Sequence, residues 1–338
     1  MMLGSRARIE LPDRMELAVL PTPLVTAPRL AAVLGLECLH VKRDDLTGFA
    51  IGGNKARPLE FLIAAAIRQG ADTLVTGGAA GSNFCVVAAA AARRAGLSCH
   101  LVIAGQPPQQ TPGLDLARAW GSSVSWTRTA DRTSVDAALP TAAAELAARG
   151  RRPYVVPRGG ATALGAVGYV LAAGELHDQL AERSLRPACV VVAVGSGCTL
   201  AGLVAGNALL GWPWRLVGAS VSRPPHEASR RVLELARECI LLLAAAGQAS
   251  RGLAERTAET VTDCRIELVD ARGPGHGLAS AAGSQAAEAA LRTEGLAIDP
   301  VYTAKALPVL RAAGERKAVF WHTGGLLDII AAATGEHR

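Results

Sequence analysis

Residues 189–206 read CVVVAVGSGCTLAGLVAG, and the fold is decided by how this stretch is divided. Cys189 to Val194 form an apolar run of strand length, and an Ala/Leu/Gly stretch of helical character follows after Gly195, Ser196, Gly197, Cys198 and Thr199. A strand that turns at once into a helix is the repeating unit of a parallel sheet. The turn itself admits two readings. Its glycines let backbone N–H groups converge on an anion, the helix start adds positive potential, and Ser196 and Thr199 add hydroxyl donors, which together make a phosphate cup. A plain strand-to-helix turn accounts for the same residues. The segment lacks the Gly-Lys-Ser/Thr ending of a P-loop and the G-x-G-x-x-G spacing, so nucleotide binding is the poorer reading.

The same unit recurs along the chain. Apolar runs at 38-CLHVK, 73-TLVTG, 99-CHLVIAG, 153-PYVVP, 215-RLVGASV and 318-AVFWHTGG alternate with helical stretches such as 58-PLEFLIAAAIRQG and 83-NFCVVAAAAARRAG. The expected class is α/β, with doubly wound parallel sheets and ligands at the carboxyl ends of strands. Residues 57–157 form a self-contained run, expected to be a smaller inserted α/β domain; 1–56 and 158–338 make the larger one, with a cleft between them. The segment 221-VSRPPHEASRRVLELARE is a Pro-rich turn followed by an amphipathic helix.

Composition sets the outer bounds. With 338 residues, half of them apolar, the chain can bury a large core and suits two domains. Aromatics are only 4%, so packing relies on small residues, Leu and Val. The net charge of +6 is scattered, without the concentrated basic face of a nucleic-acid site, and tilts at most toward anionic ligands. The cysteines, Cys38, Cys85, Cys99, Cys189, Cys198, Cys239 and Cys264, show no C-x-x-C pair and no zinc spacing with His, which suits reduced thiols. The N-terminus MMLGSRARIELPDRM lacks an apolar core segment, and the Ala-rich runs are interrupted too often to span a bilayer. A cytoplasmic protein with no membrane or nucleic-acid partner is expected.

Three further segments carry residues with chemical potential. In 42-KRDDLTGFAIGGNKARPLEFL, a Gly-Gly turn delivers Asn54 and Lys55 to a helix start, where burial and the helix N-terminus lower a lysine's proton affinity as imine chemistry requires. A solvated lysine at a helix start fits that segment as well. In 76-TGGAAGSNFCVVAAAAARRAG, Ser82 and Asn83 sit at an N-cap, and the N–H groups they expose either cap the helix or hold a substrate carboxylate. In 298-IDPVYTAKAL and 321-WHTGGLLDII, Tyr302 and His322 read equally as packed core residues.

Taken in order, these segments resemble the ACC deaminase/D-cysteine desulfhydrase branch of the fold-type II, tryptophan synthase β-like enzymes, which use pyridoxal 5'-phosphate. The match runs from 21-PTPLVTAPRLAAVLG to 322-HTGGLLDII and includes 154-YVVPRGGATALGAVGYV. The resemblance implies that Lys55 carries the cofactor as a Schiff base and shuttles the substrate Cα proton, with Asn54 beside it. Asn83 would bond the ring oxygen of the cofactor, Gly195, Ser196, Gly197, Cys198 and Thr199 its phosphate, and Ser82 with the following N–H groups the substrate carboxylate. Tyr302 would face the substrate as a second acid/base group, and Thr303 would sit near the pyridine nitrogen. It also implies a homodimer acting on a small amino acid.

Thr303 matters most for the reaction. An acidic residue at the ring nitrogen makes a strong electron sink and is what ACC deaminases carry, whereas a hydroxyl stabilises a carbanion less. Tyr302-Thr303 therefore favours β-elimination from a cysteine-like amino acid, giving pyruvate and ammonia; ACC-type ring opening is the runner-up, and a scaffold that binds cofactor or amino acid without turnover is the alternative of another class. Departures from the family pattern point to a specialised substrate. Phe84 makes the wall after Ser82-Asn83 apolar, His276 in 273-GPGHGLAS stands where a second tyrosine is usual, Cys198 replaces a glycine of the phosphate loop, and Arg158 in 157-PRGG is an unusual cation that suits either a substrate anion or a surface salt bridge.

Overall fold

A computed structural model describes residues 11–107, 111–211, 214–246, 261 and 266–334; Cys264 and the first ten residues lie outside these. Among the described residues, ten strands form two sheets. The larger takes β1 (Leu24–Thr26), β2 (Cys38–Arg43), β7 (Cys189–Val194), β8 (Arg215–Ser220), β9 (Ile266–Asp270) and β10 (Lys317–His322) in the order β1-β2-β10-β7-β8-β9. The smaller has the order β5-β4-β3-β6, from β3 (Thr73–Gly78), β4 (Ser98–Ile103), β5 (Ser123–Trp126) and β6 (Pro153–Val155). One departure from the all-parallel expectation is β1, which runs antiparallel to β2 with Val25 opposite Val41. Its neighbours are parallel, as in Phe320 opposite Val41 and Val191 opposite Val217.

Alternation along the central strands divides the core. On β7, Val190, Val192 and Val194 face one side and Cys189, Val191 and Ala193 the other, all buried. Both faces of this strand are covered, which is why its sequence is apolar without a break. In the smaller sheet, Leu74 and Leu101 face the larger of its two cores while Val75 and Val102 meet Val135 and Leu139 of the helix Thr133–Ala148.

The helices that matter for the site are α2 (Ala56–Arg68), α3 (Asn83–Arg94), α5 (Thr133–Ala148), α6 (Ala163–Glu182), α7 (Cys198–Leu210) and α8 (Pro225–Ala246); α1 (Pro28–Leu34) and α4 (Pro112–Ala119) support the sheets from outside. Small residues set the spacing of these helices. A Cβ on Gly202 would lie 2.2 Å from the Ala166 carbonyl oxygen, and one on Gly168 would lie 2.5 Å from that of Arg57. The low aromatic content thus corresponds to helices that touch backbone to backbone.

Beneath α2 lies a buried ionic cluster. Arg57 donates to both oxygens of Asp44 at 2.8 and 2.9 Å and to both oxygens of Glu175 at 3.0 Å, while Lys42 donates to Glu175, to Gln179 at 2.7 Å and to the Thr22 carbonyl at 2.6 Å. Arg57 and Asp44 are 1% and 0% exposed, so two cations and two carboxylates balance one another away from water. Burial pushes both carboxyl groups up, but the guanidinium of Arg57 and the ammonium of Lys42 outweigh it and hold Asp44 and Glu175 below their ordinary ranges.

Removing one partner of such a cluster leaves buried charge uncompensated. Arg57→Met is expected to lower unfolding stability by about 3–5 kcal/mol, read as a fall in Tm. Because the folded pKa values of Asp44 and Glu175 are depressed, their contribution is present above the ordinary carboxylate range and is lost as pH falls through it and below; the variant's Tm should therefore depend less on pH there than the wild type's.

Candidate active site

The carboxyl ends of β3, β7, β8 and β10 open onto one cavity of about 860 Å³ whose walls come from both sheets. Lys55 enters it at the N-cap of α2, half-buried. The chain reaches this point through Gly52 and Gly53, at φ 71° and 91°, and Gly53 lies so close to the turn after β10 that a Cβ on Gly324 would come within 2.6 Å of its Cα. Asn54 is fixed on three sides. Its N–H donates to the Thr323 carbonyl at 2.9 Å, its amide to Thr199 Oγ1 at 3.0 Å, and its carbonyl accepts from Tyr169 at 3.2 Å.

The Lys55 ammonium has no hydrogen-bond partner and no carboxylate within ion-pair distance among the described residues. Burial lowers its pKa, and the adjacent helix N-terminus acts in the same direction. Only a thiolate at Cys198 would oppose this, and burial pushes that thiol up to about 11, so it stays protonated near neutrality.

The turn after β7 places Gly195, Ser196, Gly197 and Thr199 on the cavity wall. Gly197 takes the left-handed step, φ 96°, as N-cap of α7, which lets Cys198 enter the helix without strain. The Cys198 side chain turns off the wall and donates to the Gly160 carbonyl at 3.3 Å. The Gly195 carbonyl is engaged by Ser222 at 3.0 Å and Arg223 at 2.8 Å, and no side chain among the described residues caps the first N–H groups of α7.

Across the cavity, Ser82 caps α3 by accepting from the Cys85 N–H at 3.3 Å and also lines the wall. Asn83 donates to Asp328 at 2.8 Å, which leaves its buried Oδ1 without a partner among the described residues. Phe84 is chiefly a core residue, 2% exposed and so close to Gly160 that a Cβ there would come within 2.8 Å of the ring. Phe84 reaches the cavity wall only with its edge, because the core of the smaller sheet takes most of the ring.

Tyr302 lies over Gly195, where an added Cβ would be 3.2 Å from the ring, and its hydroxyl is 3.3 Å from His276 Nε2. Thr303 does not reach the wall. It is buried with its hydroxyl 3.1 Å from that of Thr323, so Thr323 presents the hydroxyl at that corner. Arg158 both lines the cavity and forms a two-pronged ion pair with Asp136, at 2.5 and 2.7 Å. His322 is a core residue: Nε2 meets the Ala297 carbonyl at 3.0 Å and Nδ1 accepts from Gly324 at 3.2 Å.

Sequence reading overlooked Asp299, Arg132 and Arg223. Asp299 is fully buried at the cavity, where burial and the nearby Asp328 raise it to about 6 even though the N–H groups of Val301, Tyr302 and Thr303 donate to it. Its position just before Tyr302 was a usable signal. Arg223 stands three residues past the end of β8, where ligands are expected, but Arg132 stands at a helix start with no motif around it.

Comparison with known proteins places the site in context. The family model described as pyridoxal-phosphate dependent enzyme matches residues 15–324. A D-cysteine desulfhydrase of Salmonella choleraesuis (strain SC-B67) is 39% identical over 330 residues, covering 94% of this chain and 95% of that protein, and one of Salmonella paratyphi C (strain RKS4594) is similar to the same extent. Among solved structures, one described as an ACC deaminase homologue matches with a TM-score of 0.81 at 33% identity over 95% of this chain and 97% of its own. A threonine deaminase of T.th., at TM-score 0.63 and 20% identity over 90% of this chain and 92% of its own, shares the fold. The residues present fit pyridoxal phosphate: an unpartnered, desolvated lysine for its aldehyde and an amide cup opened by Gly197 for its phosphate.

His276 is held neutral. Burial first, then the charges of Arg132, Lys305, Arg158 and Arg223, lower its pKa from 6.5 to about 4. Its ring ¹⁵N resonances are therefore expected to stay in the neutral form from pH 8 down to about 5 when followed by NMR. Between about 6.5 and 4 the unfolded chain binds a proton that the folded His276 does not, so this residue favours unfolding as pH falls through that window.

Proposed function

The chain belongs to the family of pyridoxal-phosphate dependent enzymes, and from its place there as a lyase we propose that it eliminates the β-substituent of a cysteine-like amino acid, releasing pyruvate and ammonia. The observation that carries this reading is the pair of hydroxyls, Thr303 and Thr323, at the corner where the resemblance puts the ring nitrogen of the cofactor. The nearby carboxylate of Asp299 is taken up by three backbone N–H groups instead. A hydroxyl there suits elimination of a good leaving group better than the opening of a carbon ring. The relatives named D-cysteine desulfhydrase agree with it.

When bound, pyridoxal phosphate supplies electron withdrawal from the substrate Cα. Lys55 Nζ, whose proton affinity burial lowers, would anchor the cofactor and accept the Cα proton. The turn from Gly195 to Thr199 holds the phosphate, with Asn54 fixing Thr199 from behind. Ser82 and the N–H groups opening α3 would take the α-carboxylate, and Asn83 would hydrogen-bond the cofactor ring oxygen. Tyr302, bonded to neutral His276, stands where the departing group leaves and can give it a proton from Oη. Buried free thiols at Cys85, Cys99, Cys189, Cys198 and Cys239 support work in a reducing cytoplasm.

The protein as purified with its cofactor is to be offered D-cysteine, L-cysteine and ACC. Pyruvate from a cysteine enantiomer is the expected result; ketobutyrate from ACC would replace elimination with ring opening. Lys55→Ala is expected to abolish the visible absorption of the bound cofactor and to cut turnover by at least about 10²–10⁴-fold. An unchanged spectrum in that variant would sink the reading at its base.

A further inference from the structure

The cavity gathers cations at one end. Arg132 from the N-cap of α5, Arg158 from the turn after β6, Arg223 from the end of β8 and Arg231 from α8 all line it, around His276 and Tyr302. Three of the four have protein partners. Arg158 is paired with Asp136, Arg223 donates to the Gly195 carbonyl at 2.8 Å, and Arg231 donates to the Ala161 carbonyl at 3.2 Å and lies 3.9 Å from Glu234. Arg132 donates no hydrogen bond and has no carboxylate within ion-pair distance among the described residues. It is half-buried, and the groups that act on it are Tyr302, Arg158, Arg223 and its own neighbour Asp131.

Guanidinium groups brought together and partly removed from water repel one another, and of the carboxylates that act on Arg223, Asp136 and Glu227, the first is taken up by its ion pair with Arg158. An anion from outside the chain relieves this. Burial and mutual repulsion lower the proton affinity of both Arg132 and Arg223, and the same charges keep His276 neutral, so the cluster is felt throughout this end of the cavity. The cofactor phosphate already has a place, at the start of α7 on β7. The arginines lie farther along the sheet edge, toward β8 and β9, and on the facing small domain.

We propose that the substrate is an amino acid whose β-substituent is itself an oxyanion, sulfonate or phosphate, bound by Arg132 with Arg223 beside Tyr302, while the α-carboxylate goes to Ser82 and α3. This rests on the elimination reading above and names its substrate class. For a sulfonate, the Cα–H and Cβ–S bonds break, Lys55 Nζ takes the proton, and the Cβ–S electron pair leaves with sulfur as sulfite. One water then completes the balance, so that cysteate and water give pyruvate, bisulfite and ammonium with no change in total charge and no external oxidant.

The test uses the cofactor-loaded enzyme and two kinds of readout. Binding of D- and L-cysteate is measured by calorimetry against alanine, and pyruvate formation from cysteate and O-phosphoserine against the neutral β-chloroalanine. One cysteate enantiomer is expected to bind at least tenfold more tightly than alanine, and an oxyanion substrate to exceed β-chloroalanine in kcat/KM. Arg132→Met is expected to reduce both ratios at least tenfold, and Arg132→Lys to restore part of the loss; as Arg132 has no protein partner among the described residues, its removal should leave Tm within about 1 °C, consistent with a surface change. Equal ratios in wild type and Arg132→Met overturn the proposal. So does loss of cofactor from Arg132→Met with unaltered ratios, which would assign the arginine to the cofactor phosphate. If cysteate binds with the expected preference but no substrate yields pyruvate, the oxyanion site stands and the elimination reading falls.

Discussion

A lysine without a counter-ion is unfavourable inside a protein, and the site depends on keeping Lys55 in that condition. The ionic cluster around Arg57 makes it possible. Arg57 lies two residues past Lys55 and is clamped by Asp44 from the end of β2 and Glu175 from α6, so the first turn of α2 cannot rotate to bring Lys55 toward solvent. Tyr169, also on α6, reaches both Asp44 and the Asn54 carbonyl. Charge that is fully balanced within the cluster leaves none over for Lys55, whose ammonium is therefore penalised by burial alone. The cluster thus fixes where the lysine points, and burial there lowers its proton affinity.

The same economy of space governs the rest of the cavity. Gly53 and Gly324 meet backbone to backbone, and Gly325 packs against Asp299, where a Cβ would come within 2.5 Å of the aspartate side chain. These contacts bring the turn after β10 against the lysine turn and tie both to Tyr302 through the amides that Asp299 accepts. Substituting any of these glycines would separate groups that act on one ligand, even though none of them carries a reactive atom.

Much of this was legible in the sequence, and the parts that were not have a common cause. The runs at 38, 73, 99, 189, 215 and 318 become strands because most of their residues are buried and their apolar residues are contiguous or alternate; the run at 153, whose apolar residues Tyr154, Val155 and Val156 are contiguous in sequence, becomes the half-exposed edge strand β6. β1, β5 and β9 escaped. They are short edge strands with half-exposed residues, such as Ser123–Trp126, and edge strands need less apolar surface. Lys55, the Gly195 turn and Ser82-Asn83, to which local motifs point, all line the cavity, but Thr303 stands behind the wall that Thr323 occupies, since sequence does not show which of two hydroxyls stands in front. Of the arginines, sequence singled out only Arg158. Arg132, Arg223 and Arg231 are scattered along the chain and read as general basicity, and only the meeting of the two sheets collects them beside Arg158.

That gathering bears on the chemistry in a way that connects the two ends of the cavity. At the Thr323 corner the protein offers a hydroxyl where a carboxylate would strengthen electron withdrawal, so the carbanion at Cα receives less help on that side. Elimination then depends more on how readily the β-substituent departs with its electron pair. Negative charge building on that group is stabilised by fixed cations in a poorly hydrated cavity far more than in water, and the cations here are already in position and need no reorganisation. A neutral His276 adds to this, since it can share a proton with Tyr302 without adding a charge of its own. A modest electron sink and a strongly cationic departure side are therefore complementary features of one reaction, in which the leaving group carries the burden that the ring does not.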